Sequence, residues 1–318
     1  MGQYLPSSSL NKETEENETN SLRYGIYNTQ GWKRNLNNTF ISKITLETNF
    51  DYYIFGIFCG NNGPEVSKVL KKYFISTLIR NETLTENISE ALKETFSKIN
   101  ESLRSSKEYK SELEQFRKEY NNINKETIEN EKITDFTGCT ACILLINEKT
   151  KKIICANIGN SKIILCNEKE SKILFPAKHH PNDEIEKQRV ENASGYIIDE
   201  KIMGWLNVSR TFGNFGYNNE FSIFCREGII SAIPDIFEET LDKEEFILIV
   251  NDEVNLNKDD LYNKYIKKAL EEGDKKIKYL SKIIENIFND NIAEKIYNTD
   301  IEKKGYGNMT GILIQIKK

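Results

Sequence analysis

The chain has 318 residues, with 44 Lys plus Arg against 49 Asp plus Glu and a formal net charge of −5. This mild acidity gives no overall positive field for nucleic acid or anionic lipid, so it argues against both partners. Apolar runs such as Tyr52–Cys59 are far shorter than the ~20 residues that cross a bilayer, so no transmembrane segment is expected. The first residues show no secretory signal, and we expect an intracellular protein, cytoplasmic or nuclear.

The six cysteines are scattered along the chain, and in a reducing compartment such thiols are expected to be free. Cys139 and Cys142 do form a C-x-x-C pair. The apolar run that follows indicates a strand, in which residues three apart point to opposite faces. We therefore predict that these two cysteines pack in the core and do not share a metal ion.

Residues 6–21 are polar and offer almost nothing to bury, so residues 1–21 are predicted to form a flexible tail. A single folded domain is then expected over residues 22–318. Its first strands are predicted at Arg23–Tyr27, Phe40–Thr45 and Tyr52–Cys59. The third is apolar throughout, which indicates that both of its faces are covered.

Two amphipathic helices are predicted next, at Pro64–Arg80 and Thr85–Leu103, because apolar residues recur there at three- and four-residue spacing. Between residues 104 and 135 the charged and polar residues dominate. This segment is predicted to be a charged insertion, either a solvated helix or a mobile loop. A further helical pattern covers Asp259–Asn289.

Three strands, Thr140–Asn147, Ile153–Ile158 and Lys162–Asn167, follow one another across short polar turns and are predicted to form an antiparallel meander. Two more strands are predicted at Phe246–Val250 and Gly311–Ile316. Strands grouped toward both ends of the chain, with helices between them, indicate an α+β fold. We predict packed antiparallel sheets flanked by helical layers.

Short motifs along the chain occur in a recognisable order. They are Arg23-Tyr24-Gly25 with Gln30-Gly31-Trp32, then Phe55–Gly63, Thr137–Ala141, Ala156–Lys162, His180-Pro181, Leu206–Asn214, Pro234–Ile236, Phe246–Leu248 and Asn308–Thr310. Together they resemble the signature blocks of the metal-dependent type-2C serine/threonine protein phosphatases, over roughly residues 22–318. The resemblance implies that family's β-sandwich between helical layers, and a phosphatase activity that depends on two Mg²⁺ or Mn²⁺ ions.

The resemblance also implies where the family's metal ligands fall in this chain. These positions are Asn37, Asn38, Cys59, Gly60, Asn160, Asn251, Asn255 and Gly307. Gly60 keeps the position of a backbone-carbonyl ligand, whereas every side-chain carboxylate is replaced. The His that the family uses as a general acid falls on Asn61.

The loss of charge decides what these replacements imply. Two divalent ions ~4 Å apart repel by about 16 kcal/mol at an effective dielectric constant of 20. Carboxylates offset that repulsion, whereas amides cannot and a thiol favours softer metals. We therefore expect no metal cofactor, or at most one weakly bound ion. The predicted function is that of a pseudophosphatase, a phosphatase-like domain that acts as a binding or regulatory module and is not expected to be an enzyme.

Lys33 and Arg34 follow Gln-Gly-Trp, where the family places a phosphate-contacting Arg. They are predicted to bind the phosphate of a protein partner without metal, with ordinary solvated surface cations as the competing interpretation. The alternative function is an active metal-dependent phosphatase with a relocated or reduced metal site. Asp51, Asp235 and Asp252 are the acids closest in sequence to the altered blocks.

Gly2 is a possible site of N-myristoylation. The start Met-Gly-Gln-Tyr-Leu resembles that of some type-2C phosphatases with this modification, although Pro6 stands where the motif prefers Ser or Thr. A single myristoyl chain binds membranes only marginally, and the acidic tail adds no polybasic signal. Peripheral membrane contact is therefore predicted to be reversible and to require modification of Gly2.

Overall fold

The computed structural model describes residues 9, 11–46, 52–124, 133–175, 179–218, 228–241, 246–271, 279–298 and 307–317. Its strands are Lys12–Glu18 (β1), Leu22–Thr29 (β2), Asn38–Leu46 (β3), Tyr52–Asn61 (β4), Gly138–Asn147 (β5), Lys152–Ile158 (β6), Lys162–Cys166 (β7), Ser171–Leu174 (β8), Ile197–Ile198 (β9), Lys201–Ile202 (β10), Phe212–Gly213 (β11), Asp235–Thr240 (β12), Phe246–Val250 (β13) and Met309–Ile316 (β14).

The helices are Glu65–Ile79 (α1), Ile88–Ser105 (α2), Lys107–Asn124 (α3), Ile133–Phe136 (α4), Glu184–Asn192 (α5), Lys258–Asp260 (α6), Lys267–Glu271 (α7) and Leu280–Asn298 (α8). A π-helical turn, Leu261–Ile266, joins α6 to α7. Both amphipathic helices predicted after the third strand are present, as α1 and α2. In the described part of the chain, no helix combines the length and the hydropathy needed to cross a bilayer.

Two antiparallel sheets form the centre of the molecule. One has the strand order β1-β2-β14-β13-β7-β8, and the other has the order β12-β6-β5-β4-β3 with β11 beside β5. Apolar side chains from both sheets share one buried cluster, which shows that the sheets pack face to face. A second cluster joins the outer face of β4 and β5 to α1 and α2, and a third joins β13 and β14 to α8. The predicted α+β sandwich flanked by helices is confirmed.

Cys139 and Cys142 lie on opposite faces of β5, as predicted. Cys139 belongs to the cluster under α1 and α2, and Cys142 belongs to the cluster between the sheets. Burial raises the pKa of both thiols. Both side chains therefore stay protonated and serve as small core residues.

The prediction of a flexible tail over residues 1–21 is wrong for Lys12–Glu18. These residues form β1, which pairs antiparallel with β2. The Glu15 carboxylate also accepts hydrogen bonds from the hydroxyls of Tyr24 (2.7 Å) and Ser42 (2.8 Å). The backbone ladder and these polar contacts stabilise the strand without apolar burial, which is why a search for apolar residues overlooks it.

The predicted meander is only partly correct. β5 and β6 pair antiparallel, but β7 crosses to the other sheet and lies between β13 and β8. β6 has β5 on one side and β12 on the other, so neither of its edges is open to β7. A short polar turn fits a hairpin and a crossing between sheets equally well, so turn length alone does not distinguish them.

The charged insertion forms helix α3 over Lys107–Asn124, and residues 125–132 lie outside the described part. The ring of Tyr109 stacks on that of Tyr73 in α1, with ring centroids 4.6 Å apart. Arg117 forms an ion pair with Glu65, which is fully buried at the start of α1. Of the two predicted alternatives, the structure shows a helix, and it is packed on α1 through these contacts.

Candidate functional site

Several of the positions singled out by the sequence meet at one end of the sandwich. Asn38 begins β3 and lies opposite Cys59 near the end of β4. Asn251 directly follows β13, Asn308 directly precedes β14, and Asn160 lies in the turn between β6 and β7. Strands from both sheets thus bring these side chains close together.

Two buried amides, Asn38 and Asn251, hold this end of the sandwich together. The Asn38 Nδ2 donates to the backbone carbonyl of Asn308 (3.3 Å) and to the hydroxyl of Thr310 (2.9 Å). The Asn251 Nδ2 donates to the same Asn308 carbonyl (2.9 Å), while its Oδ1 accepts from the backbone N–H of Thr310 (2.9 Å). A carboxylate has no proton to donate. The amides therefore make hydrogen bonds here that the family's acids could not make.

Asn308 is the centre of these contacts. Its Oδ1 accepts from the backbone N–H of Asn37 (2.8 Å), and its Nδ2 donates to the carbonyls of Gln30 (2.8 Å) and Asn35 (2.9 Å). The segment that it ties down contains Lys33, whose carbonyl also accepts from the Gln30 side chain (2.8 Å). Sequence reasoning noted Asn308 only as part of a motif, because long-range contacts of an amide leave no local signal.

The Cys59 thiol is unreactive in this environment. Burial raises the pKa of its thiol, and the nearby charge of Asp252 raises it further, to about 12. The thiol is therefore protonated at neutral pH. Since a thiolate is the form that binds metals and attacks electrophiles, Cys59 offers neither function without a costly loss of its proton.

Two acidic side chains, Asp252 and Glu253, lie beside the positions predicted for the family's metal ligands. The Asp252 Oδ2 accepts from the Asn160 Nδ2 at 3.0 Å. The Glu253 Oε1 lies 3.8 Å from the Lys33 Nζ, and its carboxylate occupies the space where a Cβ on residue 307 would lie. This end of the sandwich thus keeps more negative charge than the replaced positions suggest. Sequence reasoning noted Asp252 but missed Glu253, although Gly307 was a signal that a neighbour could fill this space.

The remaining candidates lie apart from this network. Asn255 is exposed, and its backbone N–H donates to Asn291 of α8 (2.7 Å). Asp235 is bound elsewhere: it forms an ion pair with Arg210 (3.1 Å), and its carboxylate lies 3.3 Å from the His179 Nε2. Asp51 and Gly2 lie outside the described residues. Among the described residues, no group of three or more His, Cys, Asp or Glu side chains is arranged to hold a metal ion.

A buried ionic cluster, not predicted from the sequence, lies beside the Ser209-Arg210 motif. Glu186 of α5 is buried, and its carboxylate accepts from Arg210 (2.9 Å), Arg189 (2.9 Å) and the Ser209 hydroxyl (2.6 Å). Burial alone would raise the pKa of Glu186. The hydrogen bond from Arg210 and the charge of Arg189 outweigh that effect and lower it to about 2. The cluster ties α5 to the segment that enters β11.

Comparison with known proteins agrees with this geometry. The sequence profile of protein phosphatase 2C matches residues 22–299. The chain belongs to the protein phosphatase 2C family. It is 32% identical over 326 aligned positions to a probable protein phosphatase 2C 2 of Paramecium tetraurelia, with all of both chains covered, and 26% identical to a probable protein phosphatase 2C 21 of Arabidopsis thaliana, covering all of this chain and 93% of the relative.

Solved structures show the same fold. A serine-threonine phosphatase 2C from Toxoplasma gondii superposes with a TM-score of 0.67 at 13% identity, covering 96% of this chain and 99% of that one. A C. elegans sex determining protein superposes with a TM-score of 0.65 at 17% identity, covering 95% of this chain and 66% of that one. The family resemblance drawn from the sequence is therefore confirmed, and so is the fold that it implies.

Proposed function

We propose that this member of the protein phosphatase 2C family is a pseudophosphatase, which binds or regulates a protein partner without hydrolysing phosphate. The observation that carries the proposal is the role of Asn38 and Asn251. Both are buried and donate hydrogen bonds to the Asn308 carbonyl. At these two positions, where the family has metal-binding acids, the chain has amides that stabilise the fold. Their N–H groups are already engaged in hydrogen bonds.

The donor set at the family's metal positions does not fit two divalent cations. It consists of amides, a protonated thiol and a glycine, none of which carries the charge needed to hold two such ions together. The two nearby carboxylates are bound within the protein, Asp252 to Asn160 and Glu253 to Lys33. One weakly held ion is the most that this arrangement accommodates.

One observation favours the alternative of an active phosphatase with a reduced metal site. The carboxylates of Asp252 and Glu253 lie beside Asn160 and Gly307, two of the positions that carry acids in the family. They could supply ligands for a single cation. Two carboxylates remain fewer than a binuclear phosphatase centre needs, so we favour the binding module.

Lys33 and Arg34 support recognition of a phosphorylated protein. Lys33 lies on the segment held by Asn308, so its backbone is fixed beside the Asn38 and Asn251 amides. A cation there can contact a phosphate oxygen directly, with no bridging metal. We place this activity in the cytoplasm or the nucleus, with reversible membrane contact only if Gly2 is myristoylated.

Removal of these cations provides the test of phosphate recognition. We expect a phosphoserine peptide to bind in the presence of EDTA, more weakly as salt rises, because the attraction is electrostatic. A charge-assisted contact contributes about 1.5–3 kcal/mol, so Lys33→Ala with Arg34→Ala should abolish measurable binding. Fluorescence anisotropy of the labelled peptide measures the dissociation constant.

The control variant is Lys149→Ala with Lys151→Ala, which removes the same charge from the turn at the other end of β5. It should bind the phosphopeptide as the wild type does. If the unphosphorylated peptide binds equally well, or if both double variants behave alike, the two residues are ordinary surface cations. Partner recognition would then lie elsewhere, with α3 as the next candidate.

A further inference from the structure

Lys33, one of the two cations proposed to bind phosphate, already has the carboxylate of Glu253 beside it. The Lys33 Nζ lies 3.8 Å from the Glu253 Oε1, and the two side chains are 30% and 28% exposed. Neither group is deeply buried, so water and a ligand can reach both. Any phosphate that binds Lys33 must therefore compete with a carboxylate of the same chain.

The position of Glu253 follows from its surroundings. It lies in the turn after β13, where the Asn251 side chain is held by Asn308 and Thr310 and the Asn251 carbonyl accepts from the backbone N–H of Val254 (3.2 Å). Gly307 provides the space, since a Cβ at that position would overlap the Glu253 carboxylate. A fixed turn and a missing side chain together direct this carboxylate toward Lys33.

We propose that Glu253 is an internal competitor that sets the selectivity of the phosphate site. A phosphate monoester carries a charge of about −1.5 to −2 at neutral pH, and a carboxylate carries −1. A ligand carboxylate gains no charge advantage when it displaces Glu253, whereas a phosphate does. The site should therefore accept phosphorylated residues and discriminate against Asp, Glu and other single-charged anions. This inference rests on the proposed phosphate recognition by Lys33.

Trp32 provides a reporter next to Lys33. The chain has two Trp residues, and the other, Trp205, is 81% exposed. In a Trp205→Phe background, Trp32 fluorescence can follow titration with inorganic phosphate or acetate at constant ionic strength. The variants are Glu253→Gln and Lys33→Gln, which keep side-chain size while removing charge. Glu238→Gln is the control, because it removes a similar carboxylate that pairs with Lys152 (2.6 Å) on another sheet edge.

We expect Glu253→Gln to bind phosphate about three- to fivefold more tightly, the size of effect given by a partly exposed ion pair. The same variant should bind acetate detectably, and Lys33→Gln should bind neither anion. If binding requires Lys33 but Glu253→Gln behaves like the Glu238→Gln control, the competitor role is wrong and phosphate recognition stands. If no variant binds phosphate, or if Lys33→Gln binds it like the wild type, phosphate recognition itself fails and the competitor role fails with it.

Discussion

Replacing Glu186 by Gln is expected to lower the free energy of unfolding by about 3–5 kcal/mol, the usual cost of removing one partner from a buried ion pair. The variant would leave Arg189 and Arg210, which both bind the Glu186 carboxylate, facing a neutral amide. These arginines also hold backbone carbonyls of Gly228, Ser209 and Ile233. The substitution should therefore destabilise the contacts between α5 and the segment that leads into β12. Urea unfolding at pH 7 measures it.

The pH dependence separates a lost charge from a general packing defect. The hydrogen bond from Arg210 and the charge of Arg189 hold the folded-state pKa of Glu186 at about 2, below its ordinary value of 4.5. Its stabilising contribution is therefore complete above about pH 4.5 and is lost as the pH falls toward 2. The stability difference between wild type and Glu186→Gln should shrink over that range. Glu184→Gln, at an exposed position of the same helix, should cost little at any pH. A constant difference for Glu186→Gln would contradict the ionic role.

Introducing acids at the positions proposed for the family's metal ligands is expected to destabilise the protein when no metal is present. A carboxylate in Asn38→Asp or Asn251→Asp would face the Asn308 carbonyl, which now accepts a hydrogen bond from both amides. Each substitution should cost about 1–3 kcal/mol, because it removes a buried donor and brings two acceptors together. Urea unfolding in EDTA measures this cost, and Asn255→Asp, at an exposed amide, is the control.

The combination of Asn38→Asp, Cys59→Asp, Asn251→Asp and Gly307→Asp should also create a response to metal. Without metal, the added carboxylates crowd against one another and against Asp252 and Glu253. Millimolar Mn²⁺ should then raise the melting temperature of this variant by mass action, and should leave that of the wild type nearly unchanged. If the variant loses no stability in EDTA and gains none with Mn²⁺, these residues do not occupy the family's metal positions.

Local pattern and motif order predicted much of the fold. The amphipathic spacing that predicted α1 and α2, and the apolar run that predicted β4, each report burial directly. β1 was not predicted because backbone pairing and polar contacts stabilise it, and it lacks the apolar pattern from which strands are predicted. The sheet that β7 joins was predicted wrongly. It depends on which sheet edges are free to pair, and the length of the turn before β7 does not show this.

The sequence indicated which residue types occupy the candidate site, but not the contacts that their side chains make. The structure places Asn38, Cys59, Asn160 and Asn251 at one end of the sandwich, whereas Asn255 lies apart. The motif blocks could not show which groups each side chain contacts. Asn38 and Asn251 both donate to one carbonyl, and Glu253 fills the space at Gly307. The partners of Glu186 also come from different elements. Such contacts depend on three-dimensional packing, which motif spacing does not encode.

The most direct test of the central claim is a phosphatase assay on the purified protein with millimolar Mn²⁺ or Mg²⁺. With p-nitrophenyl phosphate and a phosphoserine peptide as substrates, we expect no hydrolysis above the rate in EDTA, because the amides and the protonated Cys59 thiol cannot hold a binuclear centre. Metal-dependent turnover that disappears in Asp252→Ala would contradict this account and establish an active phosphatase with a relocated metal site.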